Sequence, residues 1–183
     1  MNVAICEYGA GNVRSVAIAL RRLGATLTDD VGGADLAVLP GVGSARSALA
    51  GLHASGHDVA LRERMEGGHP VLGICLGLQI ALEWSDEGGG VDGLGLLPGR
   101  AERLTAGLVP RIGWAAVDGR GTFYFAHSYA AATPCATAWS EGVVAEVRSG
   151  SFLGCQFHPE KSGPAGARYL AAVLEEATSR SLA

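Results

Sequence analysis

The chain has 183 residues, a mass of 18.6 kDa and a formal net charge of -4, a size that builds one hydrophobic core without disulfides or metals to staple it. Its 14 basic and 18 acidic residues are scattered, which excludes a nucleic-acid surface or a polybasic membrane patch. Despite 28 glycines and 30 alanines, 48% hydrophobic and 17% charged residues exclude disorder and collagen-like repeats.

Asn2 to Cys6 reads as a buried strand with no basic leader segment before it, and Asn12 caps a helix with Val13, Val16, Ala17, Leu20 and Leu23 on one face. Gly24 ends that helix. Leu36 to Leu39 is a second apolar run, stopped by Pro40 and Gly41; helical patterns follow through Leu52 and, from Asp58 as cap, through Met65 to Gly67 and Gly68. Val71 to Ile74 is a third buried strand. Runs apolar on both faces, joined by helices, imply parallel strands covered on both sides. After Gly88 to Gly90 the pattern changes to half-exposed antiparallel strands at Arg100 to Leu104, Thr122 to Ala126, Val143 to Arg148 and Phe152 to Gln156. Pro164 opens a last helix carrying Leu170, Ala171 and Leu174. The expectation is an α/β protein, a single domain over residues 1–183. It would have a three-layer, mostly parallel central sheet with flanking helices and a smaller antiparallel region.

Gly73, Ile74, Cys75, Leu76 and Gly77 place a glycine-flanked cysteine where a buried strand turns into a helix. This is the nucleophile-elbow pattern with sulfur in place of oxygen, and the following helix directs its amide dipoles at the sulfur, favouring thiolate. Cys6, Cys135 and Cys155 lack that context and read as reduced, buried thiols. With no CxxC pair, neither a disulfide framework nor a zinc ribbon is indicated. His53, His57 and His69 lie in polar stretches and read as solvated. His158 differs: in His158, Pro159, Glu160 the extended backbone puts imidazole and carboxylate on one side, so that Glu160 sets the tautomer of His158. Taken alone, such a triplet is more often a surface ion pair, and a zinc site using Cys155 and His158 lacks further ligands. Pro40 to Ser44 follows a strand at the same sheet edge, and its amides, at Val42, are candidates for one oxyanion donor with the Leu76 amide as the other. Gly9 to Arg14 lacks the third glycine of a dinucleotide fingerprint, so no nucleotide cofactor is expected.

Together, Pro40 to Gly43, GICLGLQ at Gly73 to Gln79 and QFHPE at Gln156 to Glu160 resemble the class I glutamine amidotransferases across essentially the whole chain. EYGAGNVRSV, GLGLLPG, YFAHSY at Tyr124 to Tyr129 and HPEKSG with the single lysine, Lys161, narrow the resemblance to glutaminase subunits of imidazole glycerol phosphate synthases. The resemblance implies a Cys75, His158, Glu160 triad that hydrolyses glutamine, with Gly41, Gln79, Ser128 and Tyr129 holding the substrate. It also implies a (β/α)8-barrel cyclase as heterodimeric partner, faced by Tyr8, Asn12 and Trp114, that consumes the ammonia in the cytoplasm. No metal, nucleic acid or membrane is expected. Two departures are Glu7, where the family has Asp, and Ala115, where its Gly-Trp-Asn has Asn. Alternatives are the glutaminase of another class I synthase, against which HPEKS and YFAHSY argue, and a catalytically silent regulatory subunit, against which the three triad residue types argue.

Overall fold

A computed structural model describes residues 1–9 and 13–181. In chain order the elements are β1 (Asn2–Ile5), α1 (Val13–Arg22), β2 (Thr26–Thr28), β3 (Leu36–Leu39), α2 (Ala45–Ser55), α3 (His57–Glu66), β4 (Val71–Ile74) and α4 (Leu76–Ala81). Then follow β5 (Trp84–Ser85), β6 (Val91–Asp92), β7 (Arg100–Arg103), β8 (Arg111–Val117), β9 (Gly121–His127), β10 (Tyr129–Ala132), β11 (Ala136–Ser140), β12 (Val143–Ser149), β13 (Phe152–Cys155) and α5 (Gly163–Ser181). Seven strands form the central sheet in the order β11-β12-β13-β4-β3-β1-β2, parallel from β13 to β2, with β11 and β12 added antiparallel at one edge.

Apolar side chains leave both faces of the sheet, so it carries two cores. Val16 and Leu20 of α1 with Leu170, Val173 and Leu174 of α5 cover Val3, Leu36, Val38, Leu72 and Ile74. On the opposite face Ala48, Leu49 and Leu52 of α2, Leu61 of α3 and Leu78 of α4 meet Ala4, Ala37, Leu39 and Val71. All four residues of β3, β4 and β13 are buried, as doubly covered parallel strands must be.

The expected α/β layering is therefore present, with two corrections. Phe152 to Cys155 is antiparallel to β12 as expected, but it is not half-exposed: it is buried throughout, because its other edge pairs parallel with β4 as Phe152↔Val71 to Cys155↔Ile74 and both of its faces are apolar and covered. Asp58 does not cap α3: Gly56, in the left-handed region at φ 74°, ends α2 and starts α3, while Asp58 binds His53 Nδ1 at 2.7 Å within the first turn. Two smaller sheets, β10-β7-β5-β6 and the β8–β9 hairpin, stand beside the main one. Asn12, expected to cap α1, lies outside the described residues. Among the described residues no helix is long and apolar enough to cross a membrane.

Candidate active site

Loops after β3, β4 and β13 leave the carboxyl ends of three neighbouring strands, where open α/β sheets bind ligands. They converge with the β9–β10 junction on a cleft of about 280 Å³ lined by Gly41, Val42, Cys75, Leu76, Gln79, Ser128, Tyr129 and His158. Sequence-distant residues expected to act together are thus brought to one place by the strand order.

Cys75 sits between β4 and α4 with φ 53° and ψ -108°, a backbone state that a side-chain-bearing residue keeps only when its surroundings enforce it. The enforcement is visible: Cys75 N–H donates to Cys155 O at 2.7 Å, and Gln79 N–H donates to Cys75 O at 3.2 Å. The flanking glycines are required by close approach. A Cβ on Gly77 would strike the Leu39 carbonyl, and one on Gly41 would strike Leu76 and the Gly77 nitrogen. The loop after β3 therefore lies flush on the start of α4, with Gly41 against Leu76 and Val42 lining the same cleft. Tyr8 secures that loop by donating its hydroxyl to Pro40 O. This corrects the expectation that Tyr8 faces a partner: its side chain is buried in the core and spent on the chain's own backbone.

His158 is only 2% exposed. Its N–H donates to Tyr124 O at 2.9 Å, and Ser162 Oγ donates to its carbonyl at 2.6 Å, so the backbone is clamped from both sides. Nδ1 lies 2.9 Å from Glu160 Oε1; a carboxylate only accepts, so Nδ1 carries the proton and Nε2 is left for Cys75. Burial disfavours the imidazolium, but hydrogen bonds to Cys75 and Glu160 and their negative charge outweigh it and raise His158 to about 9. This pair is thus no surface ion pair. Burial pushes the Cys6 thiol up to about 12 against a smaller opposing pull from Arg64, and pushes Cys155 well above its ordinary value. Neither borders the cleft. Among the described residues, no group of His, Cys, Asp and Glu side chains has the arrangement of a metal site.

Several cleft residues were not singled out from sequence. His127, on β9, donates Nδ1–H to Tyr129 O at 2.9 Å; burial, with help from Arg111 and His158, lowers it to about 4 despite that bond, so it is neutral at pH 7. Glu87 lines the cleft and accepts the Ala45 N–H at 2.8 Å; Lys161, noted in the sequence only as the single lysine of HPEKSG, lines it too. Only the YFAHSY and HPEKSG segments hinted at two of them; Glu87 sits in a glycine-rich turn that carries no signal. Leu108, Ile112 and Trp114 are exposed and line an adjoining groove. Ile112 borders both. Ala115, in place of the family's Asn, points to the core side of the hairpin and packs on it.

A thiol on an enforced elbow and a buried imidazole oriented by a carboxylate are parts that an acyl-transfer site with a cysteine nucleophile requires. The family model described as "Glutamine amidotransferase class-I" matches residues 9–177, and the chain belongs to that family. Within it, the chain is similar to a protein of Symbiobacterium thermophilum named imidazole glycerol phosphate synthase subunit HisH, 44% identical over 92% of this chain and 91% of that one. It is also 39% identical to imidazole glycerol phosphate synthase hisHF, chloroplastic, of Arabidopsis thaliana, over 90% of this chain but 32% of that longer protein. A solved structure titled "Crystal structure of glutamine amidotransferase" has the same fold, with a TM-score of 0.77 at 23% identity, covering 96% of this chain and 98% of that one.

Proposed function

We propose that the chain is the glutaminase subunit of an imidazole glycerol phosphate synthase, hydrolysing L-glutamine to glutamate and handing the ammonia to a cyclase subunit in histidine biosynthesis. The observation that carries the chemistry is the buried His158–Glu160 pair, 2.9 Å apart, set against Cys75 on its strained elbow.

In this reading the Cys75 thiolate attacks the side-chain amide carbon of glutamine. The oxygen of the tetrahedral intermediate takes N–H bonds from Leu76 and Val42. His158, held protonated at Nε2 through its raised affinity for protons, gives that proton to the departing nitrogen, and ammonia leaves a thioester. His158 then deprotonates a water that attacks the thioester, and glutamate departs as the thiolate is restored. Glu160 holds the ring and balances the imidazolium charge. At the other end of the substrate, Glu87 is the carboxylate bordering the cleft and suits the α-ammonium group. Gly41, Ser128 and Tyr129 offer backbone groups to the α-carboxylate. Gln79 contributes only its oxygen, because its nitrogen is already bonded to Tyr129 O and Gln156 Oε1.

The groove of Leu108, Ile112 and Trp114, continuous with the cleft mouth, is the surface we assign to the partner, a (β/α)8-barrel cyclase by family resemblance. Exposed apolar patches rimmed by polar groups mark docking surfaces, and this one adjoins the cleft through Ile112, which suits a partner that receives ammonia from it. The matched segment of the Arabidopsis protein, a third of a longer chain, fits a glutaminase that works joined to a second activity. Asn12, which the resemblance also assigns to the partner, lies outside the described residues. Four free cysteines suit the reducing cytoplasm.

The test is a glutaminase assay of the pure chain with and without the cyclase and its nucleotide ligand. Ammonia release that requires or is raised by the cyclase supports the reading; glutamine left intact under both conditions overturns it.

A further inference from the structure

The nucleophile has a neighbour that the triad does not use. The side-chain nitrogen of Gln156 lies 3.5 Å from Cys75 Sγ, and Gln156 is entirely buried, with Gln79 and His127 4% and 5% exposed.

A carboxamide can present either its NH2 or its oxygen, and here the choice is forced by a chain of bonds that begins at an atom with only one role. A main-chain carbonyl accepts and never donates. The Tyr129 carbonyl oxygen lies 2.9 Å from His127 Nδ1 and 2.6 Å from one terminal atom of the Gln79 side chain. That terminal atom must therefore be nitrogen. Its second hydrogen points to a terminal atom of Gln156 at 3.1 Å, which must be oxygen. The atom of Gln156 that remains is the NH2, and it is the one that faces the sulfur. Reversal would set the Gln156 oxygen against the thiolate and leave two buried donors facing each other, the costly outcome for buried polar groups.

We propose that Gln156 is a catalytic residue of this site, donating a fixed N–H to the Cys75 sulfur to stabilise the thiolate, with Gln79 and the Tyr129 carbonyl as the positioning residues that set its polarity. The assignment rests on Cys75 being the nucleophile. The other groups that act on the sulfur are His158 from the loop after β13, by hydrogen bond and charge, Tyr8 from the β1 side and Cys155 of β13, by charge alone, and the Ala126 carbonyl of β9 at 4.0 Å, which receives the hydrogen of the neutral thiol. Of these, His158 supplies positive charge only while it is protonated. Gln156 keeps its N–H in place after His158 has delivered its proton to the departing nitrogen, and so also eases departure of the sulfur when water cleaves the thioester. Reduced thiolate reactivity, and not loss of glutamine binding, is the signature of removing it.

The measurement is the pH dependence of Cys75 alkylation by iodoacetamide in the full chain, read at that residue by mass spectrometry and without glutamine. Gln156→Met, close in shape but with no N–H, moves the midpoint up by about one unit, the usual effect of a hydrogen bond to a charged acceptor. Gln156→Glu, which sets oxygen against sulfur, moves it further. Folding of each variant is checked by circular dichroism and thermal melting. In the wild-type chain, which needs no variant to fold, the Gln156 side-chain NH2 resonance, assigned by selective labelling, shifts with the same midpoint as alkylation. A folded Gln156→Met protein with the wild-type midpoint, equal midpoints for the Met and Glu variants, or an NH2 resonance indifferent to the sulfur's titration overturns the proposal. Absence of glutaminase activity in the wild type with its cyclase would instead overturn the function proposed above, because alkylation does not involve glutamine.

Discussion

The Nδ1 atom of His158 and the Oε1 atom of Glu160 are 2.9 Å apart, with side chains 3% and 1% exposed to solvent. At that burial the carboxylate sets the tautomer of the ring and, together with Cys75, favours its charged form. Glu160→Gln keeps the shape but can turn its NH2 toward Nδ1, which stabilises the wrong tautomer. The expected cost is on the order of 10⁴ in kcat, by analogy with the same change in a serine protease triad. Steady-state glutaminase assays in the complex check it, and wild-type turnover would reduce Glu160 to a structural partner.

His158 also sets an alkaline limit. The imidazolium that, in the proposed mechanism, protonates the departing amide nitrogen is lost as pH passes about 9, so kcat/KM is expected to fall above that value. Because Glu160 helps to raise His158, the Glu160→Gln variant loses its residual activity at lower pH than the wild type. A pH–rate profile of both proteins decides the matter; identical alkaline limbs would contradict it.

The two cleft histidines have opposite effects on stability. His127 is lowered from 6.5 to about 4, so its share of stability is complete above pH 6.5 and is lost as pH falls towards 4. His158 is raised from 6.5 to about 9, so its share is complete below pH 6.5 and is lost as pH rises towards 9. Each full shift corresponds to about 3 kcal/mol. Replacing His127 by Gln removes the acid-side loss, and urea melts at pH 7 and pH 4 show a smaller fall than in the wild type. An unchanged fall would place the acid sensitivity elsewhere.

Cys75→Ser leaves the fold and the Leu108–Trp114 groove untouched while removing the sulfur. Glutamine hydrolysis is expected to drop to background, with cyclase binding retained by calorimetry. Undiminished ammonia release would refute the nucleophile.

Gly77→Ala tests the elbow itself, since its Cβ would be driven into the Leu39 carbonyl. Overpacking of this kind costs about 1–3 kcal/mol, a fall of roughly 2–4 °C in Tm for each kcal/mol in a chain of this length. Activity falls as well, because Cys75 and Leu76 shift with the displaced backbone. Thermal melting and the glutaminase assay measure the two effects, and an unperturbed Tm would mean that β3 and α4 are farther apart than the structure places them.

Much of this was legible in the chain alone. Val71–Ile74 running into Gly73, Cys75 and Gly77 declares a buried strand that turns sharply into a helix, since those glycines suit little else. The His158–Pro159–Glu160 triplet places ring and carboxylate together by local backbone geometry. Strands such as β2, β8, β10 and β11 were not legible: each is short or partly exposed, and pairing with distant segments, more than local preference, makes them strands.

What the sequence by itself determined is therefore chemical and local: a cysteine at a glycine-flanked turn from strand to helix, an imidazole paired with a carboxylate two residues on, and the small residues that let backbone close around them. The tertiary structure decided everything that depends on pairing across the sheet. Parallel pairing of β13 with β4 puts Cys155 O on the Cys75 N–H, and the same pairing carries Gln156 to the sulfur. Burial then decided charge, leaving His127 neutral and withdrawing Tyr8 from the surface to hold Pro40. The physical reason is the range of the forces involved. Steric limits on backbone act between neighbours in the chain and can be read there, whereas desolvation and hydrogen-bond polarity depend on residues that only folding brings within reach.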